Sequence, residues 1–188
     1  MQLILASGSP RRRELLTLFG IPFVIRAADI DETMNPALPP ETEVARVSRL
    51  KALAVPRGAE DVVIAADTIV VCGGKVLGKP HSPEQAQSML RLLSGRDHQV
   101  MTGCTVAAPA GTETFTEVTD LHFRVLTDAE IRRYVASGEP MDKAGAYGVQ
   151  GKGALLVEKL NGDFFNVMGL PVLRLSRMLG RFGVSFFD

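Results

Sequence analysis

The chain has 188 residues, of which 46% are hydrophobic and 22% are charged. This hydrophobic fraction excludes a disordered chain, and the length predicts a single domain spanning residues 1–188. The 21 Lys and Arg residues equal the 21 Asp and Glu residues, so the formal net charge is zero. Because proteins that bind nucleic acid without sequence preference need a cationic surplus, we expect no nucleic-acid partner.

Cysteine content and apolar run length indicate the cellular setting. Cys72 and Cys104 are too few for a disulfide framework, and their spacing is not that of a metal site. The N-terminal segment has no basic region followed by a long apolar stretch, so we expect no signal peptide. No apolar run approaches the length of a membrane span. These features predict a soluble, cytoplasmic protein with no membrane partner.

Strand and helix patterns alternate along the first half of the chain. They predict a strand at 3–5, a helix from Ser9 to Gly20, a strand at 22–27, a helix at 41–55 and a strand at 62–66. Asp67 follows this last strand, and apolar residues 69–71 continue beyond it. The pair Gly73-Gly74 is typical of a two-residue hairpin turn.

The second half of the chain has the same mixed character. The predicted elements are a helix at 82–95, strands at 99–107 and 114–125, a helix at 127–138, a hairpin joining 155–160 to 164–168 through Asn161-Gly162, and a helix at 171–179. Since hairpins occur among interleaved strands and helices, we expect a mixed sheet in an α/β or α+β fold.

Ser7-Gly8-Ser9 joins the first strand to the first helix, where backbone amides favour an anion. Three arginines, residues 11–13, follow in the first helical turn. Cations there oppose the helix dipole and each cost about 0.3–1 kcal/mol when exposed. A bound phosphate would compensate for this cost, although three solvated arginines on an outer turn remain the alternative.

Four more charged residues are candidates for the same chemistry. Asp67, at the end of a predicted buried strand, either belongs to a site or ends the strand in a turn. The positive charge of Lys79, between a glycine and a proline, suits contact with a phosphate, and so does that of Lys51 on the predicted helix. The alternative for both lysines is a solvated cation on the surface. Glu32 lies in an acidic cluster that either holds Mg²⁺ or forms a soluble loop.

Residues 142–151 form a glycine-rich segment with charges at one end. Glycines allow a ligand to approach the backbone closely, and the amide of Gln150 can both donate to and accept from the edge of a base. An ordinary irregular loop is the alternative. His81, His98 and His122 show neither ligand spacing nor a nucleophile partner, so we assign them no chemistry.

Taken together, these segments resemble the Maf family of nucleoside triphosphate pyrophosphatases, once described as septum-formation inhibitors. The resemblance runs from Leu3 to about Leu175, and segment 142–151 with Asn161-Gly162 is most similar to the branch that acts on dTTP and UTP. The motifs that carry the resemblance are residues 5–12, 31–32, Lys51, 66–68, 78–80 and 142–151.

The resemblance implies a Maf/ITPase-like α/β fold, with an elongated mixed sheet flanked by helices and a cleft between two lobes. It implies hydrolysis of a nucleoside triphosphate to the monophosphate and pyrophosphate, with a divalent cation (Mg²⁺ or Mn²⁺), and a homodimer. Asp67 aligns with the proton acceptor of the family. Arg11, Thr68 and Gln150 align with positions tied to substrate choice, and the remaining site positions fall on Ser7, Arg12, Glu32, Lys51 and Lys79.

The negative charge of a triphosphate indicates which role each of these residues has. Attack on so anionic a substrate depends mainly on positioning and charge neutralisation. We expect Glu32, with or without Asp67, to hold the metal, and Asp67 to act as the base, as the metal ligand or as both. Two other functions stay open: a nucleotide-binding regulator of cell division without turnover, and an RNA-binding module built on the three arginines.

Overall fold

The computed structural model describes residues 1–27 and 29–186. The strands of this part of the chain are β1 Leu3–Leu5, β2 Phe23–Ile25, β3 Val62–Cys72, β4 Lys75–Leu77, β5 Asp97–Ala108, β6 Gly111–Phe123 and β7 Val157–Asn161. Its α-helices are α1 Pro10–Thr17, α2 Pro40–Ala54, α3 Pro83–Leu93, α4 Asp128–Ala136, α5 Phe164–Met168 and α6 Val172–Arg181. Short 3₁₀ turns occur at Glu139–Asp142, Ala144–Ala146 and Lys152–Leu156.

The seven strands form one mixed sheet with the order β2-β1-β3-β5-β6-β7, and β4 pairs with β3. β1 runs parallel to both β2 and β3, whereas β4 is antiparallel to β3 and β7 is antiparallel to β6. A two-residue connection joins β5 to β6, and so short a link can only join antiparallel strands. The predicted α/β class with a mixed sheet is therefore confirmed.

Helix starts follow the capping residues that the sequence predicts. The Ser9 hydroxyl accepts from the backbone N–H of Arg12 at the start of α1, and the Ser82 hydroxyl accepts from that of Gln85 at the start of α3. Thr127 and Glu130 form a reciprocal capping box at α4. Each cap satisfies backbone donors that the first helical turn leaves unpaired, which explains why these boundaries are readable from local sequence.

The chain divides into two compact units, the first comprising Met1–Asp67, Thr102–Glu117 and Gly169–Asp188, and the second comprising Thr68–Met101 and Val118–Met168. The first unit has a buried apolar cluster of Ile4, Ala6, Ala52, Val55, Val63, Ala65 and Ala107. The second unit has its own, which includes Leu90, Leu93, Leu121, Phe123, Ile131 and Tyr147. Each unit therefore buries enough apolar surface to hold its strands and helices in place.

Close packing of α2 on the sheet determines where its side chains lie. A Cβ added to Gly103 of β5 would lie 2.3 Å from the carbonyl oxygen of Val44, so only glycine permits this approach. Val44 and Val47 are fully buried on the same helix. Lys51 is seven residues after Val44, which places it on the face of α2 that packs on the sheet.

The predicted hairpin through Asn161-Gly162 is wrong in its second half, because Phe164–Met168 is the helix α5 and not a strand. Asp163 decides this outcome: its carboxylate accepts from the backbone N–H groups of Phe165 and Asn166 and so caps the helix. β7 pairs with β6 instead, with Leu160 opposite Leu121.

Asp67 was expected at the end of a strand, and this expectation is also wrong. β3 continues for five residues beyond it, to Cys72, because residues 70–72 pair with β4. The neighbouring strand β1 ends opposite Ile64, three residues before Asp67. The carboxylate thus lies beyond the end of β1 although β3 itself continues.

In the part of the chain that the structure describes, none of the helices combines the length and the apolar character that a membrane crossing requires.

Candidate active site

Lys51 is the centre of a charged cluster in the first unit. Its Nζ lies 2.7 Å from Oδ1 of Asp67 and 2.9 Å from Oε2 of Glu32. The side chains of Lys51 and Asp67 are 10% and 13% exposed, whereas that of Glu32 is 55% exposed. The Lys51–Asp67 pair is therefore largely withdrawn from water, and each charge needs the other to offset its lost hydration.

The structure thus brings together three of the predicted site residues, one from a helix, one from a strand and one from a loop. Two carboxylates converge on a single amine, which carries one positive charge against their two negative charges. A carboxylate can accept a proton as a general base, and the excess of carboxylates over the one amine suits a further cation. The cluster has the groups that acid–base chemistry on an anionic substrate requires.

Arg12 and Ser7 form a second contact group in the first unit. The Arg12 Nη1 donates to the Ser7 hydroxyl at 3.2 Å, and its Nε donates to the carbonyl oxygen of Gly169 at 2.8 Å. Burial lowers the pKa of Arg12, while the charges of Asp67 and Glu32 raise it. The negative charge of the Lys51 cluster therefore reaches the Arg12 guanidinium.

The three consecutive arginines differ in their surroundings. Arg11 and Arg12 are half-buried, whereas Arg13 is exposed. The Ser7 hydroxyl also accepts from the backbone N–H of Ser9 at 3.2 Å, which fixes the turn that starts α1. One arginine of the run is thus bonded to the loop predicted to meet an anion, so the picture of three solvated arginines does not hold.

Glu43 is a functional candidate that the sequence reasoning missed. It is almost fully buried, and both its oxygens accept from the Arg46 guanidinium at 2.8 Å. It also accepts from the backbone N–H of Asn35 at 2.6 Å, and Arg46 donates to the carbonyl oxygen of Thr33 at 2.9 Å. This ion pair therefore attaches the loop that carries Glu32 to α2; an acidic and a basic residue three apart on a helix was the available signal.

The other three predicted site residues belong to the second unit. Thr68 is a half-buried residue of β3, and Lys79 and Gln150 are exposed on loops. The backbone N–H of Gly145 donates to the carbonyl oxygen of Gly78 at 3.0 Å, so the loop of Lys79 is bonded to the glycine-rich segment 142–151. The structure thus connects these two predicted segments through their backbones.

One histidine, His98, and both cysteines, Cys72 and Cys104, are buried and belong to the packing of the molecule. His98 is buried with its Nε2 2.8 Å from the Tyr147 hydroxyl, and burial lowers its pKa to about 4. Burial also raises the pKa of the Cys104 thiol to about 12. Among residues 1–27 and 29–186, no three His, Cys, Asp or Glu side chains are arranged to hold a metal ion by themselves.

Comparison with known proteins decides the family. Residues 2–182 match the family model described as Maf-like protein. The chain belongs to the Maf family. The family thus covers both units and all the predicted site residues, as the sequence motifs indicated.

Related proteins match over nearly the whole chain. A protein of Moorella thermoacetica named dTTP/UTP pyrophosphatase is 53% identical, with 98% of this chain and 96% of its own length covered. A protein of Bacillus pumilus with the same name is 50% identical, with 99% of both covered. Among solved structures, a HAM1 protein from Coxiella burnetii shares the fold with a TM-score of 0.51 at 18% identity, covering 96% of this chain and 99% of that one.

Proposed function

We propose that this Maf protein hydrolyses dTTP and UTP to the nucleoside monophosphate and pyrophosphate. The observation that carries the proposal is the contact of Lys51 with both Asp67 and Glu32, in a chain about half identical to relatives named for this reaction. A protein that only binds nucleotide needs cations, but it does not need a shielded carboxylate able to take a proton. Turnover is therefore favoured over a purely regulatory role in cell division.

In the proposed reaction, Asp67 accepts one proton from the attacking water. The oxygen of that water forms a new bond to phosphorus, and the bond between the α and β phosphates breaks to release pyrophosphate. The Lys51 amine donates to the Asp67 carboxylate at 2.7 Å and so holds it in place. General base catalysis of this kind contributes roughly 10²- to 10⁴-fold to the rate.

The cationic and polar side chains would bind the triphosphate. Arg12, held by Ser7, can make a bidentate contact to phosphate oxygens, while Lys51 and Lys79 supply compact charges. We assign substrate choice to Arg11, Thr68 and Gln150, because they match the positions tied to it in the family. The Gln150 amide can pair with the edge of a pyrimidine, since it both donates and accepts.

Glu32 and Asp67 fit a divalent cation such as Mg²⁺ or Mn²⁺. Mg²⁺ is bound by one or two carboxylates and completes its shell with water and substrate phosphates, so it does not need a cluster of three acidic side chains. Both carboxylates contact the Lys51 amine, which neutralises only one of their two negative charges, so negative charge is left beside it for a second cation. When bound there, the cation would neutralise charge on the phosphates.

The proposal also covers the setting in which the enzyme works. It acts as a single Maf domain on a free nucleotide in the cytoplasm, with no nucleic-acid or membrane partner, and it forms a homodimer. The neutral net charge supports the expectation that nucleic acid is not a partner. The dimer and the cytoplasmic location come from the resemblance to the family.

The test is to incubate the purified protein with dTTP, UTP, CTP or GTP and with Mg²⁺ or Mn²⁺, and to identify the products by ³¹P NMR. We expect dTMP or UMP with pyrophosphate, and slower reaction of CTP and GTP. Repeating the reaction in ¹⁸O-labelled water shows whether the α or the β phosphorus is attacked. Release of inorganic phosphate with a nucleoside diphosphate, or binding without any product, would contradict the proposal.

A further inference from the structure

The buried Tyr134 and the half-buried Glu139 form a polar pair near the end of α4, in the second unit. The Tyr134 hydroxyl donates to Oε1 of Glu139 at 2.9 Å. Tyr134 is 6% exposed, and burial is the largest cause that raises its pKa above the usual range. The phenol is thus held in its neutral form as a hydrogen-bond donor, and its O–H is bonded to this carboxylate.

The pair also accepts hydrogen bonds from three backbone N–H groups of residues 148–153, which overlap the end of the glycine-rich segment 142–151. Gly148 N donates to the Tyr134 hydroxyl at 3.2 Å, Lys152 N donates to Oε2 of Glu139 at 2.9 Å, and Gly153 N donates to its Oε1 at 3.1 Å. These amides lie on both sides of Gln150. The segment 148–153 is therefore attached to the pair at both its ends.

The packing around the pair leaves little room for another arrangement of the segment. A Cβ on Gly151 would lie 2.6 Å from Oε2 of Glu139, and one on Gly153 would lie 2.4 Å from the carbonyl oxygen of Gly148. Such contacts are too short for any other residue without movement of the carboxylate or the backbone. The glycines thus bring the backbone within hydrogen-bond distance of the pair.

Charge strengthens these bonds. Burial raises the pKa of Glu139, but hydrogen bonds from Gly153, Lys152 and Tyr134 lower it, and the net result lies below the ordinary value. An ionised carboxylate accepts stronger hydrogen bonds than a neutral oxygen does. Ordinary glycine-rich loops lack such an acceptor and are mobile.

We infer that Tyr134 and Glu139 are positioning residues for base recognition, which hold segment 148–153 so that Gln150 meets the pyrimidine edge in one fixed geometry. The inference rests on the proposed function, in which Gln150 reads the base. Discrimination by hydrogen bonds depends on fixed donor and acceptor positions, because a mobile amide can adapt to the wrong base. The pair acts through the backbone of the segment and does not itself touch the base.

The first test compares Tyr134→Phe with Tyr147→Phe. Each variant loses one buried phenolic hydroxyl in the second unit, but the Tyr147 hydroxyl contacts His98 in the core and not the segment. The readout is the ratio of the dissociation constants of the non-hydrolysable α,β-imido analogues of CTP and dTTP. We expect this ratio to fall about tenfold in Tyr134→Phe and to stay unchanged in Tyr147→Phe, as hydrogen-bond discrimination is lost only in the former.

The second test compares Glu139→Gln with Glu130→Gln. Glu130 accepts from Arg124 and caps α4, so its replacement weakens the second unit without touching segment 148–153. Hydrogen–deuterium exchange in the absence of nucleotide reports on the segment itself. We expect the amides of Gly148, Lys152 and Gly153 to exchange faster in Tyr134→Phe and Glu139→Gln only.

The outcomes separate this inference from the proposed function. If wild-type protein binds the dTTP analogue preferentially but releases no pyrophosphate, the proposed function fails and the inference is still judged by the variants. If the base ratio in Tyr134→Phe and Glu139→Gln equals that of their controls, the pair is merely structural and the inference is overturned. Unchanged amide exchange, or no base preference in wild-type binding, would overturn it as well.

Discussion

The two units hold their candidate functional residues by different means. In the first unit, charged side chains contact one another directly: Lys51 of α2 bonds Asp67 of β3 and Glu32 of a loop. In the second unit, Lys79 and Gln150 are exposed on loops, and the bonds that fix those loops run to their backbones. The first arrangement places opposite charges in direct contact, whereas the second fixes the position of loops whose side chains are proposed to contact a ligand.

Each unit also contains a carboxylate that accepts hydrogen bonds from the backbone of a nearby segment. Glu43 pairs with Arg46 and accepts from Asn35 N in the loop after Glu32. Glu139 instead accepts from the neutral Tyr134 hydroxyl and from backbone amides. The comparison shows that a carboxylate can be held by an arginine, as the buried Glu43 is, or by several neutral donors, as the half-buried Glu139 is.

The largest effect should come from Asp67→Asn in the first unit. The amide cannot accept the proton from water, so we expect turnover of dTTP to fall by roughly 10²- to 10⁴-fold. The matched control is Asp61→Asn, because Asp61 accepts from the backbone N–H groups of Gln2 and Gly58 and does not contact the Lys51 cluster. Steady-state kinetics and thermal unfolding of both variants provide the measurement.

Near-full activity of Asp67→Asn would show that another group takes the proton. An equal loss in the Asp61→Asn control would show that the first unit is merely sensitive to any lost carboxylate.

A smaller effect, on selectivity, should follow Gln150→Ala in the second unit. We expect the preference for dTTP and UTP over CTP and GTP to fall about tenfold or more, because the side chain that reads the base edge is removed. The rate with the poorer substrates should change little, since the charges of the first unit are intact. Relative kcat/KM values for the four nucleotides measure this, with Gln87→Ala on α3 as the control.

Equal relative rates before and after the Gln150 substitution would remove this residue from base recognition. A uniform loss with all four nucleotides would place it instead among the groups that bind the triphosphate.

The smallest effect concerns the pH dependence of stability and involves one carboxylate from each unit. A hydrogen bond from Arg46 is the main cause that lowers the pKa of Glu43 from 4.5 to about 2, and one from Arg124 does the same for Glu130. Because both pKa values are depressed in the folded state, their contribution is complete above pH 4.5 and is lost as the pH falls towards 2. We expect a shallower acid loss of unfolding free energy in Glu43→Gln and Glu130→Gln, measured by urea denaturation.

Protonation of His98 should lower the stability at a higher pH than protonation of the two carboxylates does. Burial lowers its pKa from 6.5 to about 4, so the folded state binds its proton less readily and loses stability as the pH falls from 6.5 to 4. Both glutamine variants should keep this part of the curve. A curve for either variant that superimposes on the wild-type curve below pH 4.5 would contradict the ion-pair assignment.

Elements with a local cause were readable from the sequence. Ser9, Ser82 and Thr127 each bond a backbone N–H three residues later, so the residues that start a helix are adjacent to the helix they start. The hairpin at Gly73-Gly74 is likewise local, since both glycines have the positive φ that its tight turn requires. Asp67 indicated chemistry because a carboxylate next to a buried strand costs free energy unless it is paired or binds a metal, whereas Lys51 was assigned to the site by the resemblance to the family.

Elements that depend on distant partners were not readable. Asn161-Gly162 predicts a hairpin by itself, but Asp163 caps a helix there and its backbone N–H bonds the hydroxyl of Thr119 on β6. The extension of β3 beyond Asp67 likewise depends on pairing, since β4 returns to meet Val70 and Val71. A local pattern cannot reveal which of two possible partners a strand or a turn will find.

The sequence by itself determined the mixed α/β class, the helix caps, the family and the residue types of the candidate site. Only the tertiary structure decided that Lys51 meets two carboxylates, that Arg12 bonds a carbonyl 157 residues away, and that Glu139 holds the segment around Gln150. The physical reason is the separation along the sequence between the groups that bond. Caps and turns satisfy their hydrogen bonds within a few residues, whereas buried charges must find partners that the chain brings close only after the sheet and helices have packed.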